Sequence, residues 1–327
     1  MALVVYAGAS GLVLPSTAVT RENRPKILSA LERLSAGGST NGGAGIELAY
    51  QTAVAHFVKG GVNRVLLATD GDFNVGISNR SALVQLIKQK AKSGVFLSVL
   101  GFGTGNLKDA TLEQLTNKGN GNYAYIDTIN EARKVLVEQM TGTLITIAKD
   151  VKIQVEFNPA RARAYRLVGY ENRRLANRDF ADDKKDAGEI GAGHTVTALY
   201  EVVPPGVKLP AATKLKYQKP VKVAGANSKE LLTVRLRYKA PAGSRSTLLQ
   251  VAATDAGAGL AQTSADFKLA AAVAWFGMTL RGSRYAGAKP HEAIARLARP
   301  SLARDRNGRR AELIRLVQKA ARLRQRK

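Results

Sequence analysis

The first half of the chain alternates short apolar runs with amphipathic stretches, joined by glycine-rich connections. Two runs, Arg64–Thr69 and Val95–Gly101, are apolar almost throughout, which is typical of strands buried on both faces of a parallel sheet. Strands that alternate with helices of about 10–15 residues form βαβ units. The pattern therefore predicts an α/β fold, a doubly wound and mostly parallel sheet, over residues 1–148.

Within residues 1–148, hydrophobic periodicity and the glycines that end helices predict where each strand and helix begins and ends. The predicted strands are Leu3–Tyr6, Leu12–Leu14, Arg64–Thr69, Val95–Gly101 and Tyr123–Ile126. The predicted helices are Pro25–Leu34, Ile46–Val58, Ser81–Ser93, Ala110–Lys118 and Asn130 to about Ala148.

The pattern changes at Lys149. Lys149–Phe157 alternates apolar and polar residues with a period of two, and so do stretches within His194–Val203 and Leu231–Tyr238, which indicates an antiparallel β-rich domain over residues 149–262. The polar segment Asp179–His194 is predicted to be a long exposed loop. Helical periodicity returns after Ser264 and predicts a helical C-terminal region over residues 263–327.

Composition excludes several kinds of site. The chain has no cysteine, so disulfides, thiolate zinc sites, iron–sulfur clusters and cysteine nucleophiles are ruled out. The three histidines, His56, His194 and His291, lie far apart in sequence and argue against a multi-histidine metal centre or a catalytic triad. No apolar run reaches the roughly 18–20 residues that span a bilayer, and the first residues lack the pattern of a signal peptide.

Positive charge is concentrated at the C-terminal end. The formal net charge is +25, and residues 281–327 hold 15 basic and 3 acidic side chains. Such a region can bind nucleic acid or an anionic membrane surface, or it can be a solvated helix face. We favour the solvated face, because no aromatic residue that could stack on bases follows Tyr285.

Three loops fall where open α/β sheets bind ligands, at the carboxyl ends of strands or the amino ends of helices. They are Gly37–Gly45, Thr69–Gly76 and Gly101–Asn106. The first lacks the lysine of a phosphate-binding P-loop, and the glycine spacing of the third does not fit a dinucleotide fingerprint. Neither nucleotide site is therefore predicted.

Two residues of these loops suit a hard divalent cation, which prefers hydroxyl, carboxylate and water oxygens. Thr40 offers a hydroxyl at a helix start, and Asp70 offers a carboxylate at a strand end. Each also has a purely structural interpretation, Thr40 as a helix cap or turn residue and Asp70 as the first residue of an Asx-turn.

The two loops together resemble one family. GGSTNGGAGI and LLATDGDFNVG resemble the von Willebrand factor type A (VWA) domain, whose metal-ion-dependent adhesion site uses Asp-x-Ser-x-Ser, then a Thr, then an Asp. The family's Thr falls on Thr40 and its Asp on Asp70. The wider sequence, including LVVYAG, ILSALERLSAGGSTNGGAGIELAYQ and GNYAYID, resembles bacterial YfbK-like proteins, which join a VWA domain to a family-specific C-terminal region.

The resemblance implies a non-enzymatic module for protein–protein interaction or adhesion. Such a module presents Mg²⁺ or Mn²⁺ to an exposed carboxylate on a partner protein, with Thr40 and Asp70 as two of the ligands and with Asn41 and Asp72 on the partner-facing rim. No small-molecule substrate is implied. For full-length relatives the resemblance implies the cell envelope or periplasm.

One departure from the family is the absence of the Asp-x-Ser-x-Ser segment. In the family this motif ends the first, central strand, so the sequence is expected to be N-terminally truncated within a partial VWA domain. LVVYAG and GLVLP would then be the second strand and the antiparallel edge strand. Three ligands would be missing, so Mg²⁺ binding is expected to be weak. The strands Leu3–Tyr6 and Arg64–Thr69 would either pair directly or leave amides unpaired, with lower stability than a longer chain.

Two other functions stay open from the sequence. One is a metal-assisted hydrolase that uses Asp70 and Asp72, although no general base or nucleophile accompanies them. The other is binding of nucleic acid or an anionic membrane through residues 281–327.

Overall fold

The computed structural model describes residues 1–6, 10–35, 37, 41–73, 76–77, 79–105, 107–170, 174–185, 187–207 and 228–325. Its strands are β1 (Leu3–Tyr6), β2 (Ser10–Leu14), β3 (Arg64–Thr69), β4 (Phe96–Gly101), β5 (Tyr123–Tyr125), β6 (Thr146–Phe157), β7 (Ala164–Val168), β8 (Gly188–Gly191), β9 (Leu199–Val203), β10 (Glu230–Lys239) and β11 (Thr247–Thr254). Its α-helices are α1 (Arg24–Glu32), α2 (Gly42–Ala55), α3 (Arg80–Lys90), α4 (Asp109–Lys118), α5 (Ile129–Arg133), α6 (Met140–Leu144), α7 (Ala265–Leu280), α8 (His291–Ala298) and α9 (Arg309–Gln325).

The chain divides into two compact units. The first contains residues 1–152, 181–194 and 237–248, and the second contains residues 153–180, 195–236 and 249–327. A four-stranded sheet has the order β11-β10-β6-β8. The three-domain division given above stays a prediction.

The first unit contains the predicted parallel sheet, in the order β3-β4-β5. Strands β3 and β4 pair in register from Arg64 opposite Phe96 to Thr69 opposite Gly101. Strands β1 and β2 form a separate antiparallel ribbon. The mixed α/β class and its strands are confirmed, but β1 and β3 belong to different sheets, so they do not pair directly.

Helices α2, α3 and α4 bury their apolar sides against this sheet because their leucine and isoleucine side chains recur at helical spacing. The core they form consists of Ile46, Tyr50, Val65, Leu67, Phe73, Leu83, Leu86, Ile87, Val95, Leu97, Val99, Leu112 and Leu115. Burial of this many apolar side chains fixes the positions of the loops that join these strands to these helices.

The expectation that β3 is buried on both faces was wrong. Strand β4 is buried from Leu97 to Gly101, but β3 alternates, and the side chain of Leu66 is 45 % exposed. Strand β3 stands at the edge of its sheet, and only the face that carries Val65 and Leu67 packs into the core. A run of apolar letters does not distinguish these two situations.

The last predicted helix of this region, Asn130 to about Ala148, is also corrected. Helix α5 passes into a π-helical turn at Lys134–Glu138, α6 ends at Leu144, and β6 begins at Thr146. The sequence Ile145-Thr146-Ile147 is β-branched, which favours an extended backbone. The predicted strand over Lys149–Phe157 is confirmed as part of β6.

The prediction of an exposed loop over Asp179–His194 is wrong in part, because Gly188–Gly191 forms β8 and pairs antiparallel with β6. A side chain at Gly191 would have its Cβ 1.6 Å from the carbonyl oxygen of Gly142, so the close approach of these two segments requires glycine.

The second unit contains the predicted helical C-terminal region, which is confirmed and consists of α7, α8 and α9. They enclose an apolar core of Ala272, Ile294, Ala295, Ala298, Ile314 and Val317. Elsewhere in this unit β7 pairs antiparallel with β9, and Arg166 on β7 forms an ion pair with Glu201 and lies over the ring of Tyr285. None of the described helices has the length and apolar character that crossing a membrane requires.

Candidate functional site

The carboxyl end of β3 carries Asp70 and Asp72 in a tight turn. The Asp70 Oδ1 atom accepts a hydrogen bond from the Asp72 backbone N–H at 3.0 Å, and Thr69 Oγ1 accepts one from the Gly71 N–H, also at 3.0 Å. Gly71 has a φ of +82°, which favours glycine. The turn leaves both aspartates half-buried, so their carboxylates lie at the rim of the sheet.

The backbone of this turn is tied to the next strand and helix. The carbonyl of Thr69 accepts from the Phe102 N–H at 2.9 Å, and the carbonyl of Asp70 accepts from the Lys108 N–H at 3.1 Å. An open depression lies beside it, lined by Ala68, Thr69, Asp70, Phe102 and Gly103. The strand ends β3 and β4 thus form one continuous edge.

The start of α2 packs against the same loop. Asn41 caps this helix, and its Oδ1 atom accepts from the Ala44 N–H at 3.2 Å. A Cβ at Gly76 would lie 2.7 Å from that oxygen, and a Cβ at Gly42 would lie 2.0 Å from the ring of Phe73. Glycine at the helix start therefore lets the backbone of α2 lie directly on the loop that follows β3.

Tyr6, at the end of β1, reaches the same edge. Its hydroxyl donates to the Ala68 carbonyl at 2.5 Å. Burial raises the pKa of the Tyr6 hydroxyl, and the negative charge of Asp70 raises it further, although a hydrogen bond with Thr69 acts in the opposite direction. Tyr6 is thus a neutral hydroxyl close to the Asp70 carboxylate at neutral pH.

Three of the four site residues predicted from the sequence lie in the part of the chain that the structure describes. Asn41, Asp70 and Asp72 lie on the loops just described. Thr40 lies outside the described residues, so its distance from Asp70 stays a prediction. Among the residues that the structure describes, no group of three or more His, Cys, Asp or Glu side chains could hold a metal ion.

Sequence reasoning missed Tyr6 as a residue of this edge and missed the packing role of Gly42. No sequence signal links Tyr6 to Asp70, because the two residues meet through the tertiary fold. The sequence shows that the stretch before α2 is rich in glycine, but the close contact of Gly42 with Phe73 is visible only in the structure.

Family comparisons cover nearly the whole chain. Residues 1–139 match the von Willebrand factor type A domain, and residues 142–323 match a family described as "Uncharacterized protein YfbK, C-terminal". "Uncharacterized protein YfbK" of Escherichia coli (strain K12) is 44% identical over 321 residues, which are 98% of this chain and 55% of that protein. The chain therefore spans about half the length of this relative.

Two solved structures are also similar. One is a von Willebrand factor type A protein from Catenulispora acidiphila, with 16% identity, 93% of this chain and 71% of that chain covered, and a TM-score of 0.43. The other is BatB from Bacteroides thetaiotaomicron, with 22% identity, 42% and 76% covered, and a TM-score of 0.35. On the strength of the sequence matches, this chain belongs to the YfbK family, with a VWA domain followed by the YfbK C-terminal domain.

Proposed function

We propose that the chain is a non-enzymatic protein-binding module whose binding edge is the carboxyl end of β3. VWA domains commonly mediate protein–protein interaction, and this chain contains one. Asp70 and Thr40 would hold Mg²⁺ or Mn²⁺, and an exposed carboxylate of a partner protein would complete the coordination. Asn41 and Asp72 would contact the partner or orient water at the rim.

The observation that carries this proposal is the half-buried Asp70 carboxylate at the strand end. It lies on a turn whose backbone is fixed by hydrogen bonds to Phe102 and Lys108. A fixed carboxylate at a sheet edge is the type of ligand that a hard cation requires. Support for Thr40 as the second ligand comes from its sequence neighbour Asn41, whose side chain lies close to Gly76 of the loop that follows β3.

The donor chemistry fits Mg²⁺ or Mn²⁺, because carboxylate, hydroxyl and water oxygens are their preferred ligands. The donor number is small, with one hydroxyl and one carboxylate assigned as direct ligands. We therefore expect a weakly held ion that keeps most of its water. When bound, such an ion supplies a coordination position for an incoming carboxylate.

The proposal can be tested with Mn²⁺ alone, because the electron paramagnetic resonance signal of free Mn²⁺ falls as the ion binds. We expect the full 327-residue chain to bind one Mn²⁺ with a dissociation constant of about 0.1–1 mM, the range of the weakest protein sites for the similarly hard cation Ca²⁺. Asp70→Ala should lower the affinity at least about tenfold. Asp72→Ala should lower it less.

Asp255→Ala is the matched control, since Asp255 accepts a turn hydrogen bond from the Gly257 N–H at 2.8 Å, as Asp70 does from Asp72. Equal Mn²⁺ binding by wild type and Asp70→Ala would refute the site. Acetate then serves as a probe of the partner's carboxylate. If the edge accepts a carboxylate, acetate should raise the Mn²⁺ affinity of the wild-type chain, because coupling between two ligands is reciprocal.

A further inference from the structure

Helix α9 has an exposed face rich in basic residues. The helix buries Ile314 and Val317 in the core of that unit. From Arg315 to Arg324 the exposed residues are Arg315, Leu316, Gln318, Lys319, Arg322, Leu323 and Arg324. We call these seven residues the α9 face. It contains four cations and two leucines, and the one acidic residue of α9, the exposed Glu312, lies one turn before Arg315 on the same side of the helix.

The cations of the α9 face form a stripe. Arg315, Lys319 and Arg322 recur at i, i+4 and i+7, a spacing that places side chains on one side of an α-helix. Within the described part of the chain, none of these three takes part in an ion pair with an acidic side chain. Other basic residues nearby differ in this respect, since Arg304 and Arg310 both lie within ion-pair distance of Asp266.

The leucines form a second stripe beside the first. Leu316 and Leu323 are 49% and 55% exposed, and with Lys319 they recur at i, i+3 and i+7. Lys319 therefore belongs to both stripes. Helices that lie in a membrane interface combine Lys and Arg with leucines that enter the headgroup boundary. The α9 face offers two leucines for this contact, because the other large apolar residues of the helix pack in the core.

We propose that the α9 face binds the surface of a bilayer that contains anionic phospholipid. The cations are attracted to the anionic headgroups, and the leucines enter the boundary between headgroups and acyl chains. Nucleic acid would satisfy the cations alone, since it offers no apolar phase to the leucines. Helix α9 also has no aromatic residue on which bases could stack.

The α9 face shares no residue with the metal-binding edge proposed above, so each proposal is tested by its own variants. The attraction should be reversible and sensitive to salt. The Debye length falls from about 10 Å at 0.1 M salt to about 3 Å at 1 M.

The test measures co-sedimentation of the full chain with vesicles of one part phosphatidylglycerol to three parts phosphatidylcholine, in 0.1 M NaCl. Wild type should bind these vesicles and not vesicles of phosphatidylcholine alone. Arg315→Gln/Lys319→Gln/Arg322→Gln should lower partitioning about a hundredfold, at roughly fivefold per cation. Leu316→Gln/Leu323→Gln should lower it at least about tenfold.

The matched control is Lys88→Gln/Lys90→Gln/Lys92→Gln, which removes the same charge from α3 and the turn after it, in the other unit. It should bind like wild type. Unchanged thermal melts will exclude misfolding of the α9 variants, whose altered side chains are exposed.

Three results would overturn the proposal. The first is failure of wild type to bind the anionic vesicles. The second is unchanged vesicle binding by Leu316→Gln/Leu323→Gln, which indicates adsorption by charge alone. The third is binding to duplex DNA or to an acidic peptide, lost in the cation variant, with no vesicle binding under the same conditions.

Discussion

The glycines that begin α2 place the helix against the candidate metal-binding edge. Gly42 and Gly45 are buried, and side chains at these positions would overlap Phe73 and Tyr6 respectively. Phe73 belongs to the main core of its unit, and Tyr6 packs against that core. The lack of a side chain at Gly42 and Gly45 thus determines how closely α2 approaches the loop after β3 and the end of β1.

Gly42→Ala should therefore destabilise the first unit, although alanine normally favours helices. The new Cβ would lie 2.0 Å from Phe73 Cδ1, so the ring or the helix must move. We expect the free energy of unfolding to fall by about 1–3 kcal/mol, as for other overpacked cores. Urea unfolding followed by circular dichroism measures the change.

The control for this variant is Gly277→Ala in the middle of α7, where no atom lies within 4 Å of the added Cβ. Removing backbone freedom from an unstrained helical glycine should stabilise the second unit by about 0.5–1 kcal/mol. A Gly42→Ala chain as stable as wild type would contradict the close packing of α2 on Phe73.

At the scale of strands and helices, the sequence predicted the elements whose structure follows from their own hydrophobic pattern. Strand β3 was predicted with its observed bounds, and α7 was predicted from its periodicity. What could not be predicted depends on distant partners. Arg64, the first residue of β3, donates hydrogen bonds from its guanidinium to Ser98 Oγ at 2.6 Å and to Thr146 Oγ1 at 2.9 Å. Burial lowers the pKa of this guanidinium to about 10.

The residues of the candidate site also differ in whether the sequence alone could predict them. Asp70 and Asp72 could be proposed because the end of a buried strand is visible in the sequence. The hydroxyl of Tyr6 could not, because β1 and β3 are separated by 57 residues and meet only in the fold. Strand β8 was missed because its sequence, Gly188-Glu189-Ile190-Gly191, carries one apolar residue, and its pairing with β6 determines its conformation.

Two buried lysines hold the segment before β8 in place. Lys239 Nζ donates to Asp150 Oδ2 at 2.7 Å and to the Asp183 carbonyl, also at 2.7 Å. Lys152 Nζ donates to the Asp182 carbonyl. Both lysines are buried. Buried ammonium groups need such partners, because an unpaired buried charge is strongly unfavourable.

Lys239→Met should therefore lower the free energy of unfolding by about 3–5 kcal/mol, the usual effect of removing one partner of a buried ion pair. The exposed Lys229→Met serves as a control and should change it by less than about 0.5 kcal/mol. The double variant Lys239→Met/Asp150→Asn should recover part of the loss, because it also removes the carboxylate charge. Equal stability of Lys239→Met and wild type would show that the pair contributes nothing.

At the scale of the whole molecule, each unit has a carboxylate that is stabilised in its charged form. In the first unit, the hydrogen bond from the Ser246 hydroxyl lowers the pKa of Asp183. In the second, the backbone N–H groups of Ala311 and Arg310, at the start of α9, lower the pKa of Asp305. The chain's one tryptophan, Trp275, lies on α7, so its fluorescence reports on the second unit.

Acid should therefore weaken both units. A carboxylate whose pKa is lower in the folded state stabilises the fold above its unfolded pKa of about 3.9, and this contribution is lost as the pH falls through the folded value. In Asp305→Asn, the urea concentration at the midpoint of unfolding, followed by Trp275 fluorescence, should depend less on pH between about pH 5 and 2. Asp183→Asn should leave the pH dependence of that transition unchanged and alter only the transition seen by circular dichroism. An identical effect of both variants on Trp275 would mean that the two units unfold as one.

The contact of α2 with the loop after β3 has a practical consequence for anyone who wishes to retarget this protein. The rim residue Asn41 and the buried glycines that pack against the core lie on one backbone segment. A library that randomises every position from Asn41 to Gly45 would therefore consist largely of unfolded variants. A productive library would diversify the half-buried Asp72 and the exposed Phe102, while the buried glycines stay fixed. New specificity could then be selected without the screen becoming a search for compensating core mutations.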